Sequence, residues 1–179
     1  MDMSNKLGDK SAFLFDVIKR YDHYIGTTNF KVGLMMSFLG TIIIGLAVRI
    51  MLLTPIQGEI SCIRYAAIAA SILTILGALF SAFLLFKVVF PNTKNENGTE
   101  SLIFFGSVAS CSNGAQGYFE KVKNVEPANL LKDLAIQTYN VAGVVKEKFR
   151  VLKIAVNTVI YLVVPLLAVS LLLLIFEGI

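Results

Sequence analysis

The sequence predicts an all-α integral membrane protein. It has three transmembrane helices, an N-terminal amphipathic helix and a small helical cytoplasmic block whose last helix is continuous with the third span. Three observations carry this reading. Val32–Val48, Tyr65–Phe86 and Ile154–Phe176 contain no Lys, Arg, Asp or Glu. Crossing a hydrocarbon core of ~30 Å takes about 20 apolar residues at ~1.5 Å rise each, and the first stretch reaches that length by continuing past Arg49 to Pro55. At 56% hydrophobic residues and a mean hydropathy of +0.73, the chain is too apolar for an ordinary soluble domain. Finally, the cations are unevenly placed. Of 16 Lys and Arg, five precede the first span and nine lie from Lys87 to Lys153, while only Arg49 and Arg64 flank the short loop between spans one and two.

The positive-inside rule turns that asymmetry into a topology. Residues 1–29 form a cytoplasmic amphipathic helix, 30–55 the first transmembrane helix and 56–64 an external loop. Residues 65–87 form the second transmembrane helix, 88–153 a cytoplasmic helical region, 154–176 the third transmembrane helix and 177–179 an external C-terminus. The chain is expected to be multi-pass with a cytoplasmic N-terminus. This bias also accounts for the net charge of +4 without nucleic acid as a partner. No signal peptide is expected, because the first apolar run starts about 30 residues in and lacks a small-residue cleavage site.

The N-terminal helix is read from Leu14, Val17, Ile18, Tyr21 and Ile25, which recur at helical spacing with charges on the other faces. It is expected over roughly 11–25, ending at Gly26 with a polar Thr27-Thr28-Asn29 break. It either packs on the cytoplasmic block or lies on the membrane surface, and its mixed charges favour packing. Span one carries Gly33, Ser37, Thr41 and Gly45 four apart, and span two carries Ala66, Ala70, Thr74, Ala78 and Ala82. Such stripes let backbones approach closely in lipid, either in a tight hairpin of spans one and two or between protomers.

Pro91 and Asn92–Glu100 read as a loop, and the Asn97-Gly98-Thr99 sequon within it is expected to be cytoplasmic. Ser101–Ser110 starts a helix or a strand. Pro127 suits the first turn of a long helix with Leu130, Leu131, Leu134, Val141 and Val145 on its apolar side. Only Gly143 interrupts the pattern before span three, so one helix is expected from about 127 to 176, ~75 Å long, with a kink near Pro165.

Little here points to catalysis. His23 is the lone histidine, the acids are scattered, and neither a phosphate loop nor a nucleophile elbow appears. Cys62 and Cys111 fall on opposite sides of the membrane and form no metal pattern with His23, so no metal and no enzyme activity are expected. Arg49 snorkels at the outer end of span one, and Asn157 bridges helices or lines a pore. The cluster Lys31, Lys87, Lys146, Lys148, Arg150 and Lys153 contacts lipid headgroups or, alternatively, forms an anion site with Phe104, Phe105 and Phe149 nearby.

Five strings in order add a resemblance. They are Asn29-Phe30-Lys31-Val32-Gly33, Phe90-Pro91, Leu102-Ile103-Phe104-Phe105-Gly106, Asp133-Leu134-Ala135-Ile136-Gln137 and Lys148-Phe149-Arg150-Val151-Leu152. Over roughly 10–176 the chain resembles the transmembrane effectors of bacterial Pycsar antiphage systems. It departs at Asn29, where that pattern has an acid, and at Val32, where it has a small residue. The resemblance implies a defence effector that senses a cyclic nucleotide on the cytoplasmic side and impairs inner-membrane integrity, in abortive infection. The ligand implied is cyclic UMP, cyclic CMP or a cyclic oligonucleotide. Homo-oligomers and membrane lipids are the expected partners. Candidate ligand contacts are Lys31, Lys148 and Arg150 for an anion, with Phe104, Phe105, Asp133 and Gln137 shaping the site. Asp133 and Gln137, four apart, alternatively bridge neighbouring helices. A non-enzymatic membrane adaptor and a constitutive small channel subunit are the competing readings.

Overall fold

The computed structural model describes residues 2–52, 62–90 and 101–177, with side chains from residue 6. The described residues form helices α1 (Asp2–Leu52), α2 (Cys62–Val89), α3 (Phe105–Ala109), α4 (Gly114–Asn124), α5 (Pro127–Thr158) and α6 (Val164–Glu177), with a π-helical turn at Val159–Val163 joining α5 to α6. No strand occurs among them. Three helices are long and apolar enough to cross a membrane: Lys6–Leu52, Cys62–Val89 and Pro127–Glu177. The protein is therefore an all-α, multi-pass membrane protein. The expected 56–64 loop, the Asn92–Glu100 loop with its sequon, Pro91 and the last two residues lie largely or wholly outside the described residues.

The chain divides into two units. Unit 1 holds the described residues of Met1–Gly26 and Asn92–Lys146; unit 2 holds those of Thr27–Pro91 and Glu147–Ile179. In unit 1, Leu14, Val17, Ile18, Tyr21 and Ile25 are the half-buried face of α1, so the apolar stripe packs as the spacing predicts. Leu134, Gln137 and Val145 are the buried positions of α5 in this unit.

The expected break at 26–29 is absent, because α1 continues through Gly26, Thr27, Thr28 and Asn29. Ending a helix leaves four N–H and four C=O groups without partners, whereas one glycine in a helix costs only about 1 kcal/mol. Continuing is the cheaper solution. The long C-terminal helix does run from Pro127 to Glu177, and its irregularity falls just ahead of Pro165. Proline has no N–H and crowds the carbonyl four residues earlier, that of Tyr161, and the π turn accommodates this.

Unit 2 has its core where α2, α6 and α1 bury apolar side chains: Val32, Leu39, Ile42 and Leu46 of α1, Ala67, Ala78, Leu85 and Val88 of α2, and Val159, Val163 and Leu174 of the third span. α2 packs along the π turn and α6. This revises the expected use of the small stripes. Gly33, Ser37, Thr41 and Gly45 face outward, and a Cβ at Gly33 or Gly45 would meet nothing within 4 Å. On α2 the buried face is Ala67, Ser71, Thr74, Gly77, Ala78, Ser81, Leu85 and Val88, which shares Thr74 and Ala78 with the predicted stripe and leaves Ala66 exposed and Ala70 and Ala82 half-buried. α1 buries its larger residues because these fill more of the space between helices and gain more dispersion contacts.

Candidate functional site

In unit 1 a polar cluster forms around the segment that leads into α3. Asp133, on α5, accepts hydrogen bonds from the Ser101 hydroxyl at 3.1 Å and the Leu102 N–H at 2.8 Å. Ser101 Oγ in turn accepts from the N–H groups of Ile103 and Phe104, at 3.1 and 3.0 Å. The Tyr118 hydroxyl donates to Leu102 O at 2.9 Å. These bonds hold a short non-helical segment in place and position Phe104 and Phe105, whose rings lie 4.8 Å apart. A Cβ at Gly106 would come within 2.6 Å of the Phe104 ring, so any larger residue here would displace that ring. Gly117 is required, because its Cβ would overlap the Ser112 carbonyl oxygen at 1.9 Å. The turn before α4 passes through Asn113 at φ 65° and Gly114 at φ 58°, a left-handed pair suited to these residue types.

Beside this segment lies a pocket of about 70 Å³ lined by Ser101, Leu102, Ser107, Ser110, Cys111, Tyr118 and Lys121. It is phosphate-sized, and its walls present hydroxyls and an ammonium. Among the sequence candidates, Phe104 is half-buried, Phe105 is exposed, and Gln137 is buried one turn beyond Asp133. Asp133 bonds the non-helical Ser101–Leu102 segment rather than a neighbouring helix.

Unit 2 holds the other three candidates. Lys148 is 4% exposed. Its ammonium donates to the carbonyls of Val88 and Val89, the latter at 3.3 Å, and to Asn29 Oδ1 at 3.2 Å. Val88 and Val89 are in the last turn of α2, where carbonyls lack intrahelical donors and the dipole is negative. Lys148 therefore caps α2 and ties it to α1. An ammonium has three donors, and all three are used, so the expected anion contact at Lys148 does not fit this arrangement. No ion pair to Lys148 occurs among the described residues, and burial pushes the Lys148 ammonium below its usual lysine value.

Arg150 donates to Glu147 at 2.8 Å through Nε and 2.6 Å through Nη2. This exposed pair holds the Glu147 carboxyl below its ordinary range and the Arg150 guanidinium above its own. Lys31 is exposed on α1, and Lys87 lies 4.7 Å from the Phe83 ring centroid. Asn157 is exposed on α5.

Sequence reading missed several polar partners. Ser101 and Tyr118 gave no periodic signal. The pairing of Arg64 with Glu177, at 3.7 Å with both side chains mostly buried, was signalled only by a lone cation and a lone acid bordering spans two and three. Within the α2–α6 interface, Thr74 Oγ1 and Ser170 Oγ share a hydrogen bond at 2.9 Å.

Comparison with known proteins decides the family. The model of the Pycsar effector protein domain matches residues 13–175, nearly the whole chain. The chain belongs to the Pycsar effector family. The Pycsar effector protein EcPycTM of Escherichia coli is 27% identical over 154 residues, covering 83% of this chain and 82% of that protein. No solved structure matches. The effector is thus a multi-pass membrane protein of antiviral defence, and its family is one of membrane effectors rather than a known enzyme class.

Proposed function

We propose that this effector senses a cyclic nucleotide on the cytoplasmic side of the bacterial inner membrane and responds by impairing the membrane. The observation that carries this reading is the family match over residues 13–175 in a chain with three helices able to span a bilayer. The hydroxyl-lined pocket of unit 1 supports it. A cyclic phosphate would be met by Ser107 and Lys121 at the pocket wall, and a base by Phe104 and Phe105 on the adjoining segment that Asp133 positions. Gln137 shapes the same unit. Cyclic CMP and cyclic UMP are the proposed ligands, with cyclic oligonucleotides as the wider class. In unit 2, exposed Lys31 and Arg150 contact anionic groups, lipid phosphates included, while Lys148 holds helices together.

A ligand shifts a conformational equilibrium only through its differential affinity for the two states. Helix α5 contributes residues to both units, so a change in how unit 1 holds it is carried along its backbone. The open Gly33–Gly45 stripe of α1 supports a homo-oligomer, because close backbone approach remains available there. The test is binding and leak together. Purified protein is screened by thermal shift against cyclic mononucleotides and oligonucleotides, then reconstituted in dye-loaded liposomes. A saturable shift with one nucleotide, and dye release at the same concentrations, is expected. Flat curves and tight liposomes across the panel would refute the reading.

A further inference from the structure

The interface of α2 with the third span is held by polar contacts along its whole length, all within unit 2. At one end Arg64 pairs with Glu177 at 3.7 Å. Midway, Thr74 and Ser170 share a hydrogen bond at 2.9 Å. At the other end Lys148 caps the carbonyls of Val88 and Val89. From Arg64 to Val88 is ~36 Å at helical rise, enough to cross the hydrocarbon core. Between these levels the buried face of α2 carries Ser71, Gly77 and Ser81, and Gly77 lies against Leu162 and Val163 of the π turn, with its Cβ position 3.6 Å from both.

Serine and threonine are common in permanent transmembrane packing seams, so what sets this seam apart is its unsatisfied groups rather than its composition. Small apolar residues pack equally closely, and a polar group in a bilayer must find a partner or carry a penalty of several kcal/mol. Thr74, Ser81 and Ser170 find one in the carbonyl four residues earlier. Ser71 does not: its fully buried hydroxyl has no partner, and neither has Glu177 Oε2 at the end of the seam. Groups left unpaired in one state are satisfied in a second state where water reaches them. The π turn opposite Gly77 marks where the packing would change, because π segments are rare and recur at functional sites.

We infer that this seam is the closed form of a permeation path. When α2 and α6 part, Ser71, Thr74, Ser81 and Ser170 line a route for water and small ions, and Arg64–Glu177 is its clasp. This rests on the membrane-impairing reading and specifies its route.

Two measurements test it. First, Thr74→Cys and Ser170→Cys are combined in a background with Cys62 changed to Ser and Cys111, which lines the pocket of unit 1, retained, and the protein is placed in vesicles loaded with potassium. Hydroxyls 2.9 Å apart bring the thiols within bonding reach. After oxidation, verified by mass, release triggered by cyclic CMP or cyclic UMP is expected to fall to the protein-free rate while the nucleotide-induced thermal shift persists, and dithiothreitol is expected to restore it. Unchanged release with the disulfide formed overturns the inference. Second, Ser71→Asp needs no nucleotide. A carboxylate in the closed seam favours the parted state, so Ser71→Asp vesicles are expected to leak spontaneously, well above Ile72→Asp on the exposed side of the same turn. Tight Ser71→Asp vesicles with native helix content, or equal leak from both variants, overturn the inference. If no nucleotide acts on the parent protein but Ser71→Asp leaks, the nucleotide reading fails and the seam stands.

Discussion

Lys148→Met removes the one buried ammonium among the described residues while keeping a flexible apolar stem of similar length. Three hydrogen bonds from a charged donor disappear, to Val88 O, Val89 O and Asn29 Oδ1. At about 1.5–3 kcal/mol each, the gross loss is roughly 5–9 kcal/mol. Opposing it is relief of a buried cation with no ion pair among the described residues, a desolvation penalty of several kcal/mol. The orphaned carbonyls at the end of α2 decide the balance, and net destabilisation of about 2 kcal/mol is expected. For a chain of this size that lowers Tm by about 4–8 °C, read by thermal shift in detergent. The same cation sets a pH signature. Its folded pKa lies below the usual lysine value, so the unfolded chain binds the proton more tightly. Stability therefore rises with pH between the lowered folded pKa and 10.5, and is flat below that window, where both states are protonated. The gap between parent and Lys148→Met should change through that alkaline window. A Tm for Lys148→Met equal to or above the parent's would show that desolvation outweighs the capping bonds, refuting this account.

Asp133→Ala leaves the Leu102 N–H and Ser101 hydroxyl without their acceptor, so about 2 kcal/mol is lost locally and limited proteolysis should cut near residues 101–104 first. Gly117→Ala puts a methyl into the Ser112 carbonyl, and at least about 2 kcal/mol of destabilisation is expected by thermal melt, against little change for Gly143→Ala, whose surroundings are open. Gly45→Ala should leave Tm within about 1 °C, because its Cβ would meet nothing within 4 Å, while cross-linking in membranes should show a reduced oligomer.

Composition and period determined the class of this protein. A charge-free stretch of about 20 residues has few stable options outside a bilayer, so the three spans were legible before any contact was known. The apolar stripe of Leu14, Val17, Ile18, Tyr21 and Ile25 and the start of α5 at Pro127 were legible for the same local reason, since helix period and proline chemistry act within a few residues. Local rules misread Gly26–Asn29, where the saving of eight unpaired end groups favoured continuation over break signals.

Only the tertiary structure decided which face each span buries. The small stripe of α1 is open and that of α2 is buried only in part, because burial depends on the partner's shape as well as on residue size. The same holds for polar partners separated widely in sequence. Lys148 looked like an anion contact until Asn29 and the end of α2 were seen to use all of its donors. Arg64 and Glu177, or Thr74 and Ser170, lie about a hundred residues apart, and no sequence period links them. Hydrogen bonds are satisfied in space, so the sequence named the charged and hydroxyl groups while the packing of helices chose their partners.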